Sequence, residues 1–162
     1  MADKSPTTSA GYRSMQEELK NLKLYERPRA SKAIEIARAH GDLSENAEYD
    51  AAKNAQGLLE ARIRDIESKL STAQVVDISK LSGEKVLFGA TVTMEDLDSG
   101  EQRTLTIVGE YEADVEKGKI SYASPLARAL IGRTVGDMAK VNLPAGTKEY
   151  EVVEVIFVLE ES

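Results

Sequence analysis

A chain of 162 residues with 41% hydrophobic content is long enough for one ordinary soluble domain or for two small ones. It carries no cysteine and a single histidine, which excludes disulfides, thiolate metal sites and the usual zinc ligand sets. Its formal net charge of −7 lies mostly in the second half, so it gains no general counterion-release affinity for nucleic acid, and any such contact must be local or assisted by a partner. There is no run of about 18 apolar residues, and MADKSPTTSAGY lacks the apolar core of a signal peptide. A cytoplasmic location away from membranes is the expectation.

Residues 1–8 are polar and expected to be loosely ordered, with Thr8 as a cap for a helix beginning near Ser9. Met15, Leu19 and Leu22 recur at spacings of four and three, the stripe of a coiled-coil seam. The same phase then reaches Glu26 and Arg29, so the register fails near Pro28. Proline lacks an amide hydrogen and clashes with the preceding turn, so the sequence predicts a kink or break with Pro28 in the first turn of a restarted helix. Ala30, Ala33 and Ala37 then carry the seam to Gly41, which can stop the helix at positive φ.

Beyond a short turn, Ala52, Ala55 and Leu59 open a second stripe. It continues through Ile63, Ile66 and Leu70 after a one-residue shift, and the helix is expected to reach about residue 73. Two antiparallel helices follow, an arm on the order of 45 Å long with small seam residues near its free end. That end, GDLSENAEYDAAK, carries Asp42, Glu45, Glu48 and Asp50. Asp42 and Glu45 have the spacing of a capping box. Glu48 and Asp50 suit the positive end of the second helix. His40 suits the negative end of the first. Arg27, Arg29 and Lys32 read as a solvated positive face.

From Gln74 onward β-branched residues appear, and a boundary near residues 76–84 divides the chain into 1–76 and 77–162. ATVTMED and EQRTLTIVG flank LDSG as a hairpin, and ISYAS is a third short strand. Ser124 can cap a short helix that starts at Pro125 and closes at Gly132. Val141–Leu143 and Glu149–Phe157 complete an antiparallel sheet with one short helix upon it. The fold class is therefore α+β in two domains, an N-terminal helical hairpin and a C-terminal sheet unit.

The segments ERPRASKAIEIARAHGDLSENAEYDAAKNAQG, FGATVTMEDLDSGE, IVGEYEADVEKGKIS and SPLARALIGRTVGD closely resemble the bacterial Gre transcript-cleavage factors of RNA polymerase, in their GreA branch. The likeness spans nearly the whole chain, and its most specific part is GDLSENAEY. It implies a coiled-coil hairpin that enters the secondary channel of bacterial RNA polymerase and an FKBP-like globular domain that docks at the channel entrance. The factor would stimulate the polymerase's own hydrolysis of the nascent RNA 3′ end in a backtracked complex, without being an enzyme itself. By the same resemblance, Asp42 and Glu45 bring carboxylate ligands to a magnesium ion shared with the polymerase active site, since phosphodiester hydrolysis benefits from a second hard cation. No magnesium is expected to stay bound to the free protein, which is expected to be a monomer.

Each assignment stands beside a plainer one. Asp42 and Glu45 can cap a helix and present ligands together. Gly41, Ser44 and Asn46 shape the turn, and Tyr49 either stacks on a base or packs across the helix pair. Arg38 and Lys53 match a basic patch that contacts extruded RNA in the family, or are simply solvated. Ser124, Pro125, Leu126 and Arg128 match a helix near the polymerase-docking surface, or form an ordinary capped helix. With Phe88 and Phe157 as the only phenylalanines and no tryptophan, an aromatic proline pocket for prolyl isomerisation is not expected. The competing functions are a channel-occupying inhibitor of related architecture and a coiled-coil adaptor whose tip grips a partner.

Overall fold

The computed structural model describes residues 4–41 and 46–158. Its contacts divide the chain into two compact units, Arg13–Thr72 and a second formed by Met1–Tyr12 with Ala73–Ser162. The first is helical. Helix α1 (Ser9–Asn21) passes through a π-helical turn (Leu22–Glu26) into α2 (Arg27–Arg38), and after the connecting turn α3 (Ala47–Thr72) runs back beside them.

The kink or break expected near Pro28 does not interrupt the helix. The Arg27 amide reaches back five residues to the Leu22 carbonyl, and the backbone stays right-handed helical at both edges of the turn. Proline cannot donate the next ladder bond, so the chain absorbs that gap by widening one turn, which adds a residue and moves the apolar stripe on by one position. Pro28 then sits in the first turn of α2, as expected. The stripe downstream is Ala30, Ile34 and Ala37, with Ile34 and Ala37 buried. Ala33, expected in the seam, is exposed.

On α3 the stripe is unbroken, with no one-residue shift: Tyr49, Ala52, Gln56, Leu59, Ile63, Ile66 and Leu70 alternate by three and four and are all buried or half-buried. Gln56 takes the place expected for Ala55, which is exposed. Ile63 and Ile66 are each 1% exposed and form the densest part of the seam. Charges flank it. Glu18 meets Arg62 at 2.7 Å, Lys23 meets Glu67 at 3.2 Å, and Arg27 grips Glu60 through two bonds of 2.8 and 3.0 Å. Arg27 is therefore not part of a free positive face, and its guanidinium holds the Glu60 carboxyl below the usual carboxylate range. These opposed pairs set the direction and register of the two helices more than their stability.

The second unit is built on a five-stranded sheet in the order β5-β4-β3-β7-β6. The expected hairpin is β3 (Thr91–Asp96) with β4 (Gln102–Val108), and β6 (Met138–Leu143) turns directly into β7 (Gly146–Ile156). Both last strands begin three residues earlier than the sequence suggests. The sheet is mixed rather than antiparallel, because β5 (Lys119–Ser121) runs parallel to β4. The imperfect alternation of the last strand also has a cause. The β3–β7 register slips between Thr93 and Met94, whose partners are Glu154 and Val152, so Val153 is an extra residue between them. Buried Tyr150 and Val152 are thus followed by buried Val155, one position out of phase.

Helix α4 (Pro125–Leu130) covers one face of this sheet through Leu126, Ala127, Ala129 and Leu130, packing on a core that includes Val92, Met94, Ile107 and Val152. Phe88 meets Tyr122 edge-on at 6.0 Å and, like Phe157, packs against that core. The two phenylalanines are thus structural. Among the described residues no helix is long and apolar enough to cross a membrane.

Residues 5–8 are ordered, contrary to expectation. They form β1 (Ser5–Thr8), paired in parallel with β2 (Ala73–Val76), so the start of the chain groups with the sheet unit rather than wholly with the hairpin as a cut at 76/77 would have it. Thr8 does cap α1, accepting the Gly11 amide at 3.0 Å. A carboxylate that the sequence pattern does not mark completes this corner. Glu112 accepts the amides of Thr8 (3.1 Å) and Gly109 (2.9 Å), and it also takes the Thr8 hydroxyl.

Glu112→Ala strands two buried amides and a hydroxyl and is expected to cost about 1–3 kcal/mol in urea unfolding. A Cβ on Gly11 would overlap the same carboxylate, so Gly11→Ala should destabilise the protein strongly alone and much less in the Glu112→Ala background. Asp96 offers a pH test. The Asp98 amide first, then the Ser99 amide and the Lys148 ammonium, hold its carboxyl below the usual range. Stability from this depressed group is present above the ordinary carboxylate pKa and lost as pH falls through the folded value. The Tm of the parent should therefore fall more on acidification across that window than the Tm of Asp96→Asn.

Candidate functional site

The free end of the hairpin is closed by a small set of bonds that can be followed atom by atom. In the last turn of α2 the His40 amide donates to the Ala37 carbonyl at 3.2 Å and the Gly41 amide to the Arg38 carbonyl at 3.2 Å, the tight three-residue bonding that satisfies terminal carbonyls. Gly41 has φ +103°, a conformation side chains with a Cβ rarely adopt, and there the helix stops as the sequence predicts.

Asn46 caps helix α3: its carbonyl accepts the Asp50 amide at 3.2 Å and its Oδ1 accepts the Tyr49 amide at 3.0 Å. The helix begins at Ala47, and the residue just before it is itself a preferred cap; the capping box expected from Asp42 and Glu45 falls on residues outside the described ones. The amide nitrogen of Asn46 does a second job. Nδ2 donates to the Ala37 carbonyl at 2.6 Å, so one side chain bonds the end of α2 and the start of α3 at once. The sequence did carry a signal for this, an asparagine immediately before the first turn, but the neighbouring acidic pair with ideal box spacing masked it. Asp42, Ser44 and Glu45 lie outside the described residues.

Around this staple the charged residues pair across the turn. His40 Nδ1 lies 3.1 Å from Glu48 Oε2, which gives His40 a partner on the facing helix in addition to its place at a helix end. The Arg38 guanidinium stands over the Tyr49 ring at 6.0 Å, within reach of a cation–π contact. Tyr49 is half-buried as the first residue of the α3 stripe, so it packs across the helix pair. Glu48 and Asp50 occupy the first turn of α3, where the helix dipole favours them. Arg38 and Lys53 are both exposed, one on each helix.

The second group of candidate residues is divided by the structure. Ser124 accepts the Ala127 amide at 3.3 Å and donates its hydroxyl to the Ser121 carbonyl at 2.7 Å; Pro125 opens α4 and Leu126 packs on the core. Those three build the helix. Arg128 is exposed, as is Pro125, and is the charged one of the four.

Two family models cover almost the entire chain: "Transcription elongation factor, N-terminal" matches residues 5–75 and "Transcription elongation factor, GreA/GreB, C-term" matches residues 81–157. The chain belongs to the GreA/GreB family of transcription elongation factors. Relatives named transcription elongation factor GreA are similar over nearly their full length. That of Beijerinckia indica is 56% identical over 155 residues, covering 96% of this chain and 99% of the relative. That of Phenylobacterium zucineum is 54% identical over 156 residues, with the same coverages of 96% and 99%. Among solved structures, GreA factor homolog 1 of Thermus thermophilus is 32% identical, covers 94% of this chain and 99% of its own, and superposes with a TM-score of 0.44.

A substitution at the turn tests its backbone independently of function. A Cβ on Gly41 meets nothing within 4 Å, so Gly41→Ala is penalised by φ alone. It should lower hairpin stability by about 1 kcal/mol in chemical denaturation.

Proposed function

We propose that this elongation factor rescues backtracked bacterial RNA polymerase by placing the tip of its helical hairpin in the secondary channel and stimulating the polymerase's own cleavage of the nascent RNA 3′ end. The observation that carries this reading is the match to the GreA/GreB family over residues 5–75 and 81–157, which takes in the acidic turn GDLSENAEY with Asp42 and Glu45. Two hard carboxylates on a short turn suit magnesium, which keeps most of its waters and takes one or two carboxylates from a given surface. When bound, a second magnesium would activate water and stabilise the leaving oxygen in phosphodiester hydrolysis.

In this reading Asp42 and Glu45 hold that ion together with groups of the polymerase, and the free protein retains none. Arg38 and Lys53 neutralise phosphates of the extruded RNA, and Arg38 is already aligned by the Tyr49 ring. The two helices act as a coiled coil, a stiff rod that carries the tip into a narrow passage. The C-terminal unit is FKBP-like and docks at the channel entrance, with Arg128 as the exposed cation of its short helix. The protein works as a cytoplasmic monomer, and the bond-breaking chemistry belongs to the polymerase.

A cleavage time course on a defined backtracked complex tests this. Asp42→Asn combined with Glu45→Gln should abolish stimulated cleavage while leaving polymerase affinity nearly unchanged. Loss of affinity instead would favour an adaptor whose tip grips its partner. A parent protein that binds polymerase without stimulating cleavage would be an inhibitor.

A further inference from the structure

We propose that one side of the hairpin's distal half docks on an uncharged protein wall of the polymerase channel, through an exposed apolar strip made of Ala33 and Ile36 on α2 with Ala51, Ala55 and Leu58 on α3. The proposal rests on the reading given above, in which the hairpin enters that channel. Seam geometry defines the two sides. In an antiparallel helix pair, residues one position after a seam residue share one side of the pair, and residues one position before share the other. The ion pairs follow this rule: Lys23 with Glu67 and Arg27 with Glu60 join residues that follow the seam, whereas Glu18 with Arg62 joins residues that precede it. Arg38 and Lys53 follow Ala37 and Ala52 and so lie on the first side. The five strip residues precede Ile34, Ala37, Ala52, Gln56 and Leu59 and so lie on the second. The Arg27–Glu60 pair and the Arg38 guanidinium over Tyr49 fix the register, which sets Ile36 level with Ala51 and Ala33 level with Ala55.

All five are exposed, Leu58 by 75% and Ile36 by 51%. Single apolar side chains on a surface are ordinary, but a contiguous uncharged run of them marks a contact surface. This run has a limit. Toward the base of the hairpin the same side turns ionic: Arg29 meets Glu26 at 3.0 Å, Arg62 meets Glu18 at 2.7 Å and Asp65 at 3.4 Å, and Lys69 meets Asp65 at 2.9 Å. The apolar stretch is therefore confined to the half that the reading above places inside the channel. RNA is a polyanion, matched by the side that carries Arg38 and Lys53, and it gains no charge neutralisation from five aliphatic residues. A second copy of this chain fits poorly too. The strip measures on the order of a few hundred Å², so two copies meeting through it would bury less than the about 1,200 Å² of a specific dimer. A protein wall asks less of the strip, which is one part of a larger contact.

The experiment measures binding of the full chain to RNA-free core RNA polymerase, for the parent, for Ile36→Gln combined with Leu58→Gln, and for Leu58→Met. Glutamine keeps helix propensity while removing apolar surface, and both positions are exposed, so the double variant should match the parent in urea unfolding. It should bind about tenfold more weakly, with Leu58→Met within about twofold of the parent. At saturating factor the double variant should still reach the parent's maximal cleavage rate on a backtracked complex. Parent-level affinity in the double variant would overturn the proposal. So would a loss seen only when extruded RNA is present, which would turn the strip toward RNA, or a parent that sediments as a dimer where the double variant is monomeric, which would assign the strip to a second copy. A parent that fails to bind polymerase at all would defeat the channel reading itself, a result distinct from equal binding of parent and variant.

Discussion

Two helices that leave a turn side by side stay together only if each keeps an apolar stripe on the same side for its whole length. That constraint governs the hairpin. On α3 it is met by the simplest means, an unbroken alternation of three and four from Tyr49 to Leu70. On the facing strand of the pair it is met in spite of Pro28, by a π-helical turn that inserts one residue and returns Ile34 and Ala37 to the interface. Without that correction the stripe would drift onto Glu26 and Arg29 and the tip would splay. Gln56, a half-buried polar residue in the middle of an apolar stripe, weakens the seam but disfavours slippage by a heptad.

The closing of the turn follows from the seam. Once Ala37 and Ala52 allow the backbones to approach, a single asparagine can reach from one helix to the other, and its 2.6 Å bond to Ala37 shows how near they come. The described residues around the turn then divide by task. Gly41 and Asn46 shape backbone, Tyr49 is part of the seam and a platform for Arg38, and Arg38 and Lys53 remain accessible.

The sheet unit shows a similar economy. Three of the four residues in its candidate docking motif build α4, and Arg128 is left as its exposed cation. The Glu112 carboxylate joins the loop after β4 to the junction of β1 and α1, so the first residues of the chain belong to a unit whose bulk is more than sixty residues away.

Local chemistry that acts within a few residues was readable from the sequence. Gly41 as a helix stop, Thr8 and Ser124 as caps, the LDSG hairpin, the two long helices and the resemblance carried by GDLSENAEY all depend on near neighbours or on a motif that is continuous in the chain. What the tertiary structure decided are the choices between locally equivalent options. Ala33 and Ile34, or Ala55 and Gln56, are equally acceptable until the partner helix selects a face. Asn46 becomes a cap only once the first turn of α3 has a position. The parallel pairing of β1 with β2 and of β5 with β4, and the bond from Glu112 to Thr8, join segments far apart in sequence. Their energy is gained only after the chain has folded back, and no pattern of neighbouring residues encodes it.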